Sequence, residues 1–136
     1  METQEITATN NIALSPADIL EHWQGHRNLT RRVIEAFPED RLFDFHIGSM
    51  RTFADIAMEL NHMAAPGAHG VATGEWKELS ELLKDRDLNP SPTTKAGILE
   101  IWDWGTSHMN TIWGELKPGR FQETDKAFGQ YEGKVW

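Results

Sequence analysis

Apolar residues recur between positions 15 and 38 at alternating steps of three and four, which is the spacing of one face of an α-helix. The stretch SPADILEHWQGHRNLTRRVIEAF opens with Ser15 as a helix cap, a proline suited to the first turn, and Asp18 at the capping-box position. Pro38 ends the pattern. The residues on this face are Ile19, Trp23, His26, Thr30, Val33 and Phe37. The pattern predicts a first long helix.

A second amphipathic stretch begins near Thr52, with Asp55 at the matching capping-box position. Its apolar residues are Phe53, Ile56, Ala57, Leu60, Met63 and Ala64. Pro66 and Gly67 follow, and such a pair kinks or ends a helix. We expect a kinked helix that continues through the segment AHGVATGEW.

The rest of the chain predicts one short helix, one long helix and several loops. The stretch 76–84 (WKELSELLK) has the pattern of a short amphipathic helix, and DRDLNPSPTT after it is typical of a loop. A third long helix is predicted for about 95–116, ended by the segment KPGRF. We interpret 122–136 as a loop and find no pattern of paired strands. Three long amphipathic helices predict an all-α helical bundle.

Composition narrows the class of protein. A chain of 136 residues with 39% hydrophobic and 25% charged residues suits one folded domain, here 15–136 after a flexible tail at 1–14. The net charge of −8 disfavours nucleic-acid binding. There is no cysteine, so a metal would need His, Asp or Glu ligands. Since the first residues lack a signal-peptide pattern and no stretch is apolar enough to span a membrane, we expect a cytoplasmic protein.

The order of these elements resembles the DinB/YfiT-like family of small bacterial proteins. The resemblance rests on ILEHWQGHR and VIEAFPEDRL in the first helix, MRTFADIAMEL at the second, and GEW after it. It continues with SPTTKAGILEIWD and AFGQYEGKVW. It implies a four-helix bundle of up-down-down-up topology and a stress-associated role.

The resemblance also implies a divalent metal held by three histidines, one on the second helix and two on the fourth. The second-helix position falls on Glu59 in this sequence, with His62 three residues later, and the sequence ends where the fourth helix should begin. We therefore expect that helix to be missing from the chain or supplied by another subunit, as in a homodimer. The face left open is expected to carry Ile98, Ile101 and Ile112.

The Glu59–His62 pair has two interpretations. A carboxylate and an imidazole three residues apart on a helix can converge on one metal ion, as in bundle proteins that bind metals. Alternatively, Glu59 borders the core and His62 faces a loop. We retain the pair as candidate metal ligands, with Zn, Ni, Mn or Fe as the possible metal.

The remaining histidines leave similar alternatives open. His22 and His26 have a spacing that lets two imidazoles bind one ion, but His26 also lies on the apolar face. His108 lies on the apolar face of the third long helix, so the same two interpretations apply to it. If His26, Glu59, His62 and His108 all pointed inward, they could meet in the bundle. His46 and His69 fall in turn-like sequence, where we expect solvent exposure or a local hydrogen bond.

The sequence contains no nucleophile elbow, phosphate loop or dinucleotide fingerprint, so any chemistry would depend on a metal. The resemblance implies a metal-dependent hydrolase or a transferase of low-molecular-weight thiols. The alternative is a non-catalytic dimeric bundle that has lost the metal ligands. We expect Trp102 and Trp113 to pack in the core, and Trp104 and Trp136 to lie at an interface.

Overall fold

The computed structural model describes residues 14–136, so the predicted flexible tail lies, apart from Leu14, outside this range. Four helices are present in the described part, three of them long. The long helices are α1 (Pro16–Ala36), α2 (Phe53–Thr73) and α4 (Lys95–Trp113), and α3 (Leu79–Leu82) is short. A 3-10 helix (Arg120–Gln122) leads into β1 (Thr124–Ala127) and β2 (Tyr131–Lys134). The predicted all-α bundle is confirmed, with one small hairpin added.

The predicted start of α1 is confirmed in detail. The Ser15 hydroxyl accepts a bond from the Asp18 main-chain N–H, and the Asp18 carboxylate accepts bonds from the Ser15 main-chain N–H and hydroxyl. This reciprocal arrangement satisfies N–H groups that the first helical turn leaves free. The helix ends at Ala36, before Pro38. Local sequence therefore accounts for both ends of α1.

Helix α2 continues past Pro66 for two further turns, which confirms the predicted continuation but not its predicted length through Trp76. It ends at Thr73, where Gly74 takes a left-handed conformation with φ of 80°. Every residue from 64 to 70 is buried, so neighbouring elements surround this half of the helix. The side chains there are small, and Trp76 packs so closely that a Cβ atom added to Gly70 would lie 2.1 Å from its ring. Small residues let the chain pack around α2 on all sides.

Three clusters of apolar side chains join the helices. The first joins the end of α1 to the beginnings of α2 and α4, and it contains Ile34, Leu42, Ala54, Ala57, Ile98 and Trp102. The second joins the beginning of α1 to the later parts of α2 and α4, and it contains Ala64, Ala68, Ala72, Met109, Ile112 and Trp113. Helix α1 is therefore antiparallel to α2 and α4, which is the predicted up-down-down order.

The prediction of a loop without strand pairs at the C-terminal end is wrong. Strands β1 and β2 pair antiparallel, with Thr124 opposite Lys134 and Ala127 opposite Tyr131. Phe128 and Gly129, with φ of 54° and 70°, form the turn. Alternation between apolar and polar residues is weak in both strands, so periodicity gave no signal of this hairpin.

The expected open face on the third long helix is also wrong. Ile98, Ile101 and Ile112 are 0%, 1% and 6% exposed, because α4 is the central helix that both α1 and α2 contact. The exposed apolar side chains of the long helices lie on α1 and α2 instead, and they are Leu29, Val33, Leu60 and Met63. Among residues 14–136, no helix has the length and apolarity needed to cross a bilayer.

Candidate functional site

Glu59 and His62 lie on the surface of α2, where they border the same shallow depression. The Glu59 side chain is 43% exposed and forms an ion pair with Arg51, which lies just before the helix. His62 is exposed. The structure thus places both predicted ligands on one accessible surface, and it adds a cation that the sequence analysis did not anticipate.

Arg51 changes the electrostatics of this surface. Its guanidinium donates to the Glu59 carboxylate, so the negative charge of Glu59 already has a partner. A cation that binds Glu59 through this oxygen must displace Arg51. Both side chains of the pair are well exposed, at 59% and 43%, and exposed ion pairs contribute only about 0–1 kcal/mol. The displacement is therefore energetically small.

His62 also borders a second, larger cavity of about 660 Å³. Trp76, Phe128 and Tyr131 form its aromatic walls, and Glu78 is among its polar lining residues. Trp76 and Phe128 contact each other, with ring centroids 5.2 Å apart. The hairpin therefore completes a partly aromatic cleft beside His62, which we call the hairpin cleft.

A second polar cluster lies between α2 and α4, where His69 Nδ1 is 3.0 Å from His108 Nε2. The two imidazole rings are stacked, with centroids 5.2 Å apart, and the ring of Trp104 stacks on His108 at 4.8 Å. His69 is only 8% exposed and lies within α2. The prediction of a turn-like, exposed His69 is wrong, because α2 continues past Pro66 and buries this residue against α4.

The surroundings of the His69–His108 pair indicate which ring nitrogen donates and which accepts in their hydrogen bond. His69 Nε2 is buried without a hydrogen-bond partner and lies 3.5 Å from a Glu75 carboxylate oxygen. A proton on this nitrogen is favoured by the carboxylate, which leaves Nδ1 to accept the hydrogen from His108 Nε2. The pKa of His108 is lowered by burial first and then by the positive charges of His69 and Arg86. Protonation of His108 is therefore disfavoured in the folded state.

His22 and His26 form a third pair, on the exposed surface of α1. Their Nε2 atoms are 3.2 Å apart and their rings meet edge to face. His26 contacts His22 on α1, whereas His108 contacts His69 between α2 and α4. The side chains of His26, Glu59, His62 and His108 therefore do not meet inside the bundle. Within residues 14–136, no group of three or more His, Asp or Glu side chains is arranged to hold a metal ion.

Other expectations from the sequence are confirmed. His46 is exposed, and its Nδ1 lies 2.9 Å from the carbonyl oxygen of Gly48, which is a local hydrogen bond. Trp102 and Trp113 are 2% and 8% exposed, as expected for core residues. Trp104 packs against the apolar cluster around α3. This contact within the chain accounts for the position of Trp104 without an interface between subunits. Trp136 is 78% exposed.

Comparison with known proteins adds one finding. Residues 7–69 match the model of the DinB family, a range that contains α1, most of α2 and the Glu59–His62 pair. No curated protein matches the chain significantly.

Proposed function

Since the chain belongs to the DinB superfamily, we propose that it is a cytoplasmic, metal-dependent hydrolase or transferase of low-molecular-weight thiols. Glu59 and His62 would be its ligands from α2. One observation carries this proposal: a carboxylate and an imidazole, both accessible, border the same depression within the part of the chain that matches the family. Carboxylate oxygen and imidazole nitrogen are suitable donors for Zn, Ni, Mn or Fe.

The donors of this surface fit a metal only in part. Glu59 and His62 supply two donor groups; Asp55 also borders the depression, but no three such side chains among the described residues are arranged to hold a metal ion. The remaining ligands would come from water, from a partner chain or from a segment outside residues 14–136. A bound divalent metal would act as a Lewis acid that lowers the pKa of a water molecule or of a thiol.

The chain's own residues would bind and orient the substrate. The hairpin cleft adjoins His62 and offers Trp76, Phe128 and Tyr131 as apolar contacts. Such a partly aromatic cleft suits a small organic molecule whose reacting group lies toward His62. Glu78, at the same cleft, would bind a positively charged group.

Metal binding by the 136-residue chain tests this proposal. A metal that binds only the folded state raises the free energy of unfolding by about 2.7 kcal/mol at one hundred times its dissociation constant. We expect this increase with at least one of Zn²⁺, Ni²⁺, Mn²⁺ and Fe²⁺, and we expect Glu59→Gln and His62→Ala each to reduce it. His46→Ala is the matched control, because His46 is also exposed but lies in the loop between α1 and α2.

Arg51→Ala makes the test sharper. Removing Arg51 frees the Glu59 carboxylate, so this variant should bind the metal more tightly than the wild type does. If no metal stabilises either protein, or if Glu59→Gln leaves the metal effect unchanged, the proposal is wrong.

A second candidate function is a non-catalytic module that acts as a homodimer. It is favoured by a run of exposed positions on α1 with the 3.5-residue spacing of coiled-coil seams, namely His22, His26, Leu29, Val33 and Ala36. Leu29 and Val33 are 56% and 55% exposed. Sedimentation velocity should then detect a dimer that Leu29→Glu and Val33→Glu dissociate, while Arg32→Glu does not. A wild-type monomer at all concentrations would contradict this function.

A further inference from the structure

We propose that His22 and His26 form a second metal site, a bidentate chelate on α1 for late first-row divalent ions such as Cu²⁺, Ni²⁺ and Zn²⁺. The site is separate from the Glu59–His62 pair, because it lies on another helix and uses none of the same residues. The observation that supports this proposal is the 3.2 Å separation of the two Nε2 atoms.

This separation matches the geometry of metal coordination. Two nitrogens bound at about 2.0–2.1 Å to one ion, at angles between octahedral and tetrahedral values, lie roughly 2.8–3.4 Å apart. The imidazoles of His22 and His26 already present their Nε2 atoms at such a spacing. Binding therefore needs little change in the helix, and the two rings would rotate so that both Nε2 lone pairs point at the ion.

The protonation of the pair is compatible with binding. In the metal-free chain, one Nε2–H donates to the other Nε2, so one imidazole is the Nε2–H tautomer. Metal binding moves that hydrogen to Nδ1 of the same ring, and both Nε2 lone pairs then face the ion. No proton is released from neutral rings, whereas acidification protonates the rings and competes with the metal.

The surroundings of the pair favour a cation. His22 and His26 are both exposed, so an ion reaches them directly. They border an open groove whose lining includes the apolar side chains of Ile19, Trp23 and Leu29 and the carboxylates of Asp18 and Glu21. The net charge of the chain, −8, attracts cations to the molecule as a whole. Water molecules would complete the coordination.

A spacing variant tests the chelate while keeping the number of histidines constant. In the double variant His26→Ala/Asn28→His, the second imidazole moves to an exposed position on a different face of α1. Because a chelate gains its affinity from the second tethered ligand, we expect Cu²⁺ and Zn²⁺ to bind this variant about 100-fold more weakly than the wild type. Isothermal titration calorimetry measures the affinity, and far-UV circular dichroism verifies the helix content.

Two further measurements separate this site from the one on α2. His62→Ala should retain the α1 site, and His22→Ala should lose it. Electron paramagnetic resonance of the bound Cu²⁺ should report two imidazole nitrogens in wild type and in His62→Ala. Unchanged affinity in the spacing variant or in His22→Ala would overturn the proposal. So would a Cu²⁺ signal that depends on His62 instead.

Discussion

Arg120 joins the C-terminal hairpin to the end of α2, and its replacement should loosen that joint. Its Nε donates to the carbonyl oxygen of Val71 at 2.8 Å, and its Nη2 donates to that of Gly70 at 3.0 Å. Nη2 also donates to the Asp125 carboxylate at 2.6 Å, while Nη1 donates to Glu123 at 3.0 Å. A cation at these carbonyls also complements the helix dipole.

The cost of losing Arg120 follows from these contacts. The Arg120 side chain is 10% exposed and the Asp125 side chain 25%, so their ion pair is partly shielded from water, whereas the Glu123 side chain is 59% exposed and contributes little. A hydrogen bond to a charged group contributes about 1.5–3 kcal/mol, and several such bonds of one side chain are not additive. We expect Arg120→Ala to lower the free energy of unfolding by about 3 kcal/mol.

Urea denaturation followed by far-UV circular dichroism measures this loss, and thermal denaturation should show a decrease of about 10 °C. Arg120→Lys keeps the positive charge but not the planar set of guanidinium donors. Its free energy of unfolding should therefore lie between those of the wild type and Arg120→Ala. Glu123→Gln is the matched control and should change stability by less than about 0.5 kcal/mol. A loss below about 1 kcal/mol in Arg120→Ala would refute the interpretation of Arg120 as the joint.

Two other predictions concern α2 and its neighbours. Because the pKa of His108 is lowered from 6.5 by burial and by the charges of His69 and Arg86, the folded state resists protonation there. The free energy of unfolding of wild type should then decrease more steeply than that of His108→Gln as pH falls below 6.5, and parallel denaturation profiles would contradict this. Gly70→Ala should destabilise by about 1–3 kcal/mol, because its Cβ would overlap Trp76. Gly25→Ala, with open space around its Cβ, should stabilise by about 0.5–1 kcal/mol in the same assay, and equal effects would contradict the packing argument.

Local sequence predicts the helix beginnings because the signals that determine them are local. Ser15, Asp18 and Thr52 form their capping bonds with residues three positions away, so these contacts can be inferred without knowledge of the fold. The same holds for the end of α1 before Pro38. The beginning of α4 at Lys95 follows from Thr94, whose hydroxyl accepts from the Gly97 N–H. These boundaries depend on a few neighbouring residues.

Contacts between distant residues account for the features that the sequence did not predict. The hairpin is held by a turn at Phe128 and Gly129 and by Arg120, which contacts carbonyl groups 49 and 50 residues away in the chain. The burial of residues 64–70 depends on Trp76 and the hairpin packing onto small side chains of α2. No periodicity within these segments encodes such contacts.

The candidate sites also combine contacts that follow from local spacing with contacts between residues that are distant in the sequence. The i, i+3 spacing correctly placed Glu59 and His62 on one surface, and the i, i+4 spacing brought His22 and His26 together. Neither spacing contains information about Arg51, eight residues before Glu59 and outside the helix. The His69–His108 contact joins two helices, so only the relative position of α2 and α4 could reveal it. Its one signal in the sequence is a histidine on the apolar face of α4.

Polar contacts fix the relative position of the three long helices where apolar packing specifies it weakly. Helix α2 faces the core mainly with alanine, and such small, similar side chains distinguish one register from the next poorly. Arg27, which is 5% exposed, donates to the Trp102 carbonyl and the Thr106 hydroxyl, and its guanidinium lies 4.4 Å from the Trp102 ring.

Burial lowers the pKa of Arg27 to about 10, which leaves the guanidinium charged at neutral pH. This buried charge forms no ion pair with a carboxylate among the described residues, so its desolvation is offset by the hydrogen bonds, the aromatic ring and the negative charge of Asp103 farther away. Asn61 and His69 make the corresponding contacts from α2, to the Ile98 carbonyl and to His108. Each of these bonds would be lost if α1 or α2 slid by one turn along α4. A slipped bundle would therefore retain much of its apolar contact but leave several buried polar groups unpaired, which is how this alanine-rich interface obtains a single register.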